Sequence, residues 1–112
     1  MDMENEVRWR LRDEDHIVGY ERHVGRRIFS SADGLWWRGD RLNYTYKDRC
    51  LMYKDINNKW LFEGDVVTWH EQSGQWQLLF EDNRWVLCQD HFSIPAPMQD
   101  RLLKRVGFAF LR

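Results

Sequence analysis

A chain of 112 residues is one domain, or one barrel with an appended lobe, and is long enough to bury a core without a metal or disulfide staple. Its net charge is -1, with ten basic and ten acidic residues up to position 49 and seven and eight after it, so neither half is a charged tail and the overall charge does not point to duplex DNA. No apolar run approaches the length of a membrane span, and the acidic stretch Met1–Glu6 is the reverse of a signal peptide, which together predict a soluble cytoplasmic protein.

In chain order, Val7 to Leu11 alternates Val, Trp and Leu with Arg8 and Arg10. That period predicts a half-buried strand with the arginines on the wet face and Trp9 and Leu11 inside. Arg12-Asp13-Glu14-Asp15 reads as a charged turn, Ile17 to Tyr20 as a short strand interrupted by Gly19, and Ile28-Phe29 as another. Ser30 to Gly34 is a turn, with Asp33-Gly34 its strongest cue. Leu35 to Arg38 is then expected as a strand, with Trp36 and Trp37 facing opposite ways so that one of them can stand exposed. Leu42–Lys47 and Cys50–Tyr53 read as strands split by Lys47-Asp48-Arg49.

The stretch Asp55–Trp69 carries two turns and two strand-like runs. Asn57-Asn58 is a tight turn because Asn tolerates positive φ. Lys59 to Phe62 enters a strand, Glu63-Gly64-Asp65 breaks it, and Val66 to Trp69 resumes it, which is how a small sheet bends sharply. Asp55 is expected to cap its turn and Asp65 to hold backbone N–H groups at the corner. Glu71 to Gly74 reads as a four-residue hairpin loop and Glu81-Asp82-Asn83 as a tighter one. The strands between them form a meander, with Trp76, Leu78 and Phe80 on the packed face. Gln89 to Pro97 reads as a connection barred from strand by its prolines. Met98, Leu102, Leu103 and Val106 recur at helical spacing before Gly107, predicting one short C-terminal helix, and Phe108 to Leu111 a closing strand.

Seven tryptophans are many for this length, and most are expected to fill the core. Cys50 and Cys88 have no CxxC partner and are expected as free thiols. His16, His23, His70 and His91 lack metal-ligand spacing, and no glycine-rich phosphate loop occurs, so neither a metal nor a nucleotide cofactor is expected. Cys88 with His91 lacks a defined third group for nucleophilic catalysis.

The run Lys54-Asp55-Ile56-Asn57-Asn58-Lys59-Trp60-Leu61-Phe62-Glu63-Gly64-Asp65-Val66-Val67 resembles the signature of the YopX family, small proteins of bacteriophages and prophages. That family reads Lys-Asp-x-Asn-Gly-Lys-x-Ile-aromatic-Glu-Gly-Asp-Ile-Val in the same register. Asn58 stands where the family has Gly, a change that a left-handed turn accepts. Trp9-Arg10-Leu11-Arg12-Asp13 resembles the family's N-terminal Phe-Arg-Ala-Trp-Asp, with Arg12 in place of the Trp. Val106-Gly107 falls where the family has Ile-Gly, and Phe108 to Leu111 departs from the Asn-Ile-aromatic-Glu that comes next in the family. The resemblance implies an SH3-like barrel in the C-terminal part, an irregular α+β N-terminal part, a bacterial and phage-derived origin, and no catalytic residues.

The expected architecture is therefore mainly β, of the α+β class: a β-rich N-terminal subdomain over 1–49 and a partly open SH3-like barrel over 50–112, with one short C-terminal helix. The expected function is non-enzymatic protein binding or self-association, with Trp36, Trp37, Arg38 and Arg41 as the interaction surface. Asp55, Asn58, Glu63, Gly64 and Asp65 are the structural signature. Two alternatives stand beside it: a nucleic-acid-binding barrel using Arg8, Arg10, Arg38 and Arg41 around an exposed Trp, and a small hydrolase using Asp55, Glu63 and Asp65.

Overall fold

The computed structural model describes residues 5–111. Most of the acidic N-terminal run, and the last residue of the expected C-terminal subdomain, lie outside them. Among the described residues the chain forms ten strands: β1 (Glu6–Asp13), β2 (His16–Val24), β3 (Arg27–Ser31), β4 (Tyr46–Lys54), β5 (Trp60–Phe62), β6 (Asp65–Trp69), β7 (Gln72–Glu81), β8 (Arg84–Gln89), β9 (Phe92–Pro95) and β10 (Leu103–Phe108). They make two open five-stranded sheets, ordered β3-β2-β1-β4-β5 and β10-β6-β7-β8-β9, and every strand pair with a defined register is antiparallel. The chain divides into two compact units, one up to Cys50 and the other Leu51–Leu111.

The first unit is built on hairpins. β1 runs Glu6 to Asp13 against β2, with a bulge between Leu11 and Arg12, where Leu11 faces Gly19 and Arg12 faces Ile17. Its buried residues are mostly polar: Arg10, Arg12, Glu21, Ser30, Ser31 and Asp48 join Leu11 and Cys50. This corrects the expectation that the β1 arginines face water. Arg10 and Arg12 are 0% and 1% exposed. Both hold the Asp48 carboxylate, Arg10 Nε at 2.9 Å and Arg12 Nε at 2.8 Å from the same oxygen. Trp9 is half-buried, with Lys47 and Arg49 over its ring at 4.4 and 5.8 Å. Lys47-Asp48-Arg49 accordingly does not split two strands. β4 runs through it, because Asp48 lies opposite Arg10 in the ladder with β1.

The second unit has an apolar core of Leu51, Leu61, Val67, Trp76, Leu78, Leu87, Ala96 and Leu103, with Tyr53, Trp69, Trp85 and Ile94 packed against it. On β7, Trp76 and Leu78 are buried and Gln75 is exposed, as the alternation predicts, while Gln77, Leu79 and Phe80 are all half-buried, so the contrast between the faces fades toward the end of the strand. Asp82 and Asn83 both have positive φ, 51° and 62°, so they make a two-residue turn of the kind that matches strand twist. The turn before β7 is tighter than expected: Gln72 to Gly74 already belong to the strand.

Four further corrections concern strands and the helix. No helix occurs among the described residues, so none is long and apolar enough to cross a membrane. The segment expected as a C-terminal helix is a turn leading into β10. Arg101 has φ 64°, a left-handed residue that stops a helix, and Leu103 to Phe108 pairs with β6. β10 also ends at Phe108, short of the expected closing strand. The proline-containing connection includes a strand, β9, with Pro95 at its end on the edge of the sheet, where a missing N–H costs no ladder bond. Leu35 to Arg38 and Leu42 to Thr45 are not strands but parts of one long loop between β3 and β4.

Candidate functional site

That loop, residues 32–45, is the most distinctive surface of the first unit. A loop of this length without regular structure is uncommon in a small domain, and its order needs explanation. Three sets of bonds hold it. At its start, Asp33 Oδ1 accepts the backbone N–H of Leu35 at 2.8 Å and of Trp36 at 3.1 Å. Ser31 Oγ donates to the same oxygen at 3.0 Å and accepts the N–H of Gly34 at 2.8 Å. In the middle, Ser30 and Arg38 exchange two backbone bonds, of 2.7 and 2.9 Å. At its end, Thr45 N–H donates to Arg12 O at 2.8 Å, and Thr45 Oγ1 accepts the N–H of Glu14 at 2.9 Å.

The strand beneath is shaped to take it. A Cβ built on Gly19 would come within 2.6 Å of the Ser31 carbonyl oxygen at the end of β3 and 2.4 Å of Leu42 Cδ1, so glycine lets the end of β3, from which the loop departs, lie this close to β2. Gly34, at φ +82°, sits over the Tyr20 ring.

The consequence is a fixed tip with apolar side chains in solvent. Leu35 is 78% exposed and Trp36 74% exposed. Trp37 turns the other way and is half-buried, with Arg8 and Arg22 over its ring at 5.7 and 5.2 Å. Of the residues singled out from sequence, the structure therefore brings Trp36 and Arg38 to one exposed loop, with Arg41 exposed further along it, and sets Trp37 beneath them. A hollow of about 440 Å³ opens beside the tip, lined among others by Ser31, Asp33, Trp36, Arg38, Asp40 and Leu42. Sequence reasoning missed Leu35, Asp33, Asp40 and Leu42 as parts of this surface. The usable signal was Ser31-Ala32-Asp33-Gly34, in which a hydroxyl and a carboxylate two apart precede a glycine that can turn left-handed.

The Asp33 carboxyl is held below its ordinary value of 3.8, chiefly by the Leu35 N–H, then by the Trp36 N–H and the Ser31 hydroxyl. The order that Asp33 confers on the tip is thus full above the carboxyl's unfolded value and is lost as pH falls through the lower folded one. In amide spectra the Leu35 and Trp36 signals should hold their positions from neutral pH to about 4 and move together below it. In Asp33→Ala they should sit at loop-like positions at every pH.

The other candidates lie elsewhere. Asp55 and Asp65 are fully buried in the second unit. Asp55 Oδ1 accepts the N–H of Asn57 at 2.9 Å and of Lys59 at 3.0 Å, and Oδ2 that of Arg105 at 3.0 Å. Asp65 Oδ2 accepts the Phe62 N–H at 2.9 Å, and Glu63 Oε2 that of Phe80 at 3.2 Å. Asn58 has φ 65° and Gly64 φ 92°, the left-handed positions their turns require. The carboxylates of this signature thus bind main-chain donors. Arg10, being buried, leaves the surface expected for nucleic acid, whereas Arg38 and Arg41 are exposed.

The Cys50 thiol is buried and the Cys88 thiol half-buried, and neither is in a disulfide. The Cys88 thiol is pushed up by burial and then by the Glu81 charge, the opposite of an activated nucleophile. Among the described residues no group of three His, Cys, Asp or Glu side chains is placed to hold a metal ion. A second hollow, of about 470 Å³, lies in the second unit against Ile56, Trp69, His70, Gln72, Leu102 and Lys104. No family model, curated protein or solved structure matches the chain.

Proposed function

We propose that this protein is a non-enzymatic binding module that docks a protein partner through the Leu35–Trp36 tip of the loop between β3 and β4. The observation that carries the reading is a pair of large apolar side chains, each more than 70% exposed, on a backbone fixed by Asp33. Single exposed apolar residues are ordinary on a protein surface. Two adjacent ones held rigidly are less so, because binding then loses little further backbone entropy. Tryptophan is also the residue most enriched among those that dominate interface energy.

The stretch from Lys54 to Val67 further supports a place among YopX-like proteins of phage origin, acting in the bacterial cytoplasm. With it goes a reading of the second unit as an opened variant of an SH3-like barrel. The register shifts of β6 against β7 and of β10 against β6 support it, being irregularities of the kind at which a sheet can bend.

The test is selection of a random-peptide library on the folded protein, with Leu35→Ser/Trp36→Ser as counter-target. Both side chains are exposed, so the variant should unfold within about 0.5 kcal/mol of the parent. Peptides that bind the parent and not the variant support the reading; binders that do not distinguish the two overturn it. Sedimentation of both forms over a range of concentrations reads out whether a second copy of the chain is itself the partner.

A further inference from the structure

We propose that the hollow beside Trp36 receives a cationic side chain, lysine or arginine, of the protein partner. The inference rests on the docking reading above and specifies what is docked. It starts from the charge of the rim. Asp33 and Asp40 against a single Arg38 leave the rim of a space of about 440 Å³ with one net negative charge. Asp33 keeps its charge well into the acid range, because the Leu35 and Trp36 N–H groups favour the ionised form. Those bonds all fall on Oδ1, and Asp33 is exposed at the rim, so its second oxygen is open to an incoming cation. Leu42, at the same rim, offers apolar contact to the methylene stem of a lysine or arginine.

The indole supplies the second half of the site. A cation over an aromatic face is attracted by the ring quadrupole, most strongly for Trp. The first unit already uses this interaction internally: Lys47 and Arg49 lie over Trp9, Arg8 and Arg22 over Trp37, and Arg12 over Tyr46 at 5.0 Å. Trp36 stands 74% open to solvent at the edge of a hollow with two carboxylates, so the same chemistry is presented outward. An acidic partner would meet Asp33 and Asp40, and a purely apolar one would desolvate them without return.

The experiment titrates the protein with four blocked tripeptides, Ac-Gly-X-Gly-amide, in which X is lysine, arginine, norleucine or glutamate. The readout is the Trp36 indole N–H resonance, assigned from its loss in Trp36→Phe. The lysine and arginine peptides should give saturable shifts. These should weaken by roughly three- to tenfold in Asp40→Asn and fall with added salt. A norleucine or glutamate peptide that shifts the signal as far as lysine overturns the proposal. So does the absence of any shift, or an unchanged affinity in Asp40→Asn. The library separates this failure from failure of the docking reading. Tip-dependent binders without lysine or arginine leave docking standing and remove the cation; binders indifferent to Leu35 and Trp36 remove both.

Discussion

Asp55→Ala is expected to lower the unfolding free energy by about 3–5 kcal/mol, read as a shift in urea midpoint at unchanged slope. The side chain is 0% exposed and accepts three backbone N–H groups, those of Asn57 and Lys59 in its own turn and of Arg105 on β10. Alanine leaves all three donors without that acceptor, and a hydrogen bond to a charged acceptor is worth about 1.5–3 kcal/mol. The three are not additive, because the turn can relax once its acceptor is gone. The turn is also tied to β10 by Ile56 N–H to Leu103 O at 2.9 Å, and Arg101 N–H bonds Lys54 O at 2.8 Å. Those bonds cover the outward edge of β10, the end strand of its sheet. Loosening them exposes strand edge, so Asp55→Ala should also self-associate at concentrations where the parent does not. Asp55→Asn keeps the acceptor for Asn57 and Lys59 but turns an amide NH₂ toward the Arg105 N–H. Its loss should fall between those of the parent and alanine, at about 2 kcal/mol. A loss under about 1 kcal/mol for alanine would mean that water replaces the carboxylate and that the turn does not clamp β10.

Much of this clamp was legible from Asp55-Ile56-Asn57-Asn58, because an Asp side chain bonding backbone two and four residues on, and an Asn at positive φ, are local events. Local chemistry is what a sequence displays. The bond from Asp55 to Arg105 spans half the chain, and nothing near either residue announces it. The same limit explains the C-terminal segment. Met98, Leu102 and Val106 fit a helical face, yet Met98 and Val106 end 52% and 43% exposed. β6 offers an edge that needs a partner, and pairing with it outweighs weak local preference for helix.

The loop from Ala32 to Thr45 escapes a sequence reading for a related reason. Leu35-Trp36-Trp37 has strand-forming composition, but Asp33 takes the Leu35 and Trp36 N–H groups that a ladder would have used. The sequence does indicate that adjacent tryptophans can face opposite ways. It does not say that a capped turn, rather than a strand, would hold them so. The hollow beside Trp36 was illegible altogether, since Asp40 and Leu42 reach it only through the exchange of bonds between Ser30 and Arg38.

Asp48→Ala is the second large loss expected, about 3–5 kcal/mol, because it removes a carboxylate shared by two buried arginines. Arg10 Nε and Arg12 Nε both reach Oδ2, and Arg12 Nη2 reaches Oδ1 at 2.9 Å. Alternation along β1 could not reveal this. A period of two says that the faces differ, not which of them is wet, and with Leu11 also at 0% exposure β1 is buried on both. What places the arginines inside is the position of Asp48 directly opposite Arg10 on β4, a cross-strand fact. The pair also tests what buried charge is for. Ion pairs taken out of water recover little more than their desolvation, so Arg10→Met/Arg12→Leu/Asp48→Leu should regain most of the stability that Asp48→Ala loses. If the triple variant recovers it and its amide spectrum keeps the β1–β4 register of residue 10 against residue 48, apolar packing specifies that ladder as well as charge does. If stability returns but the spectrum shows several registers, the buried charges are there to fix alignment, because a slip by one residue would carry both guanidinium groups away from the Asp48 carboxylate.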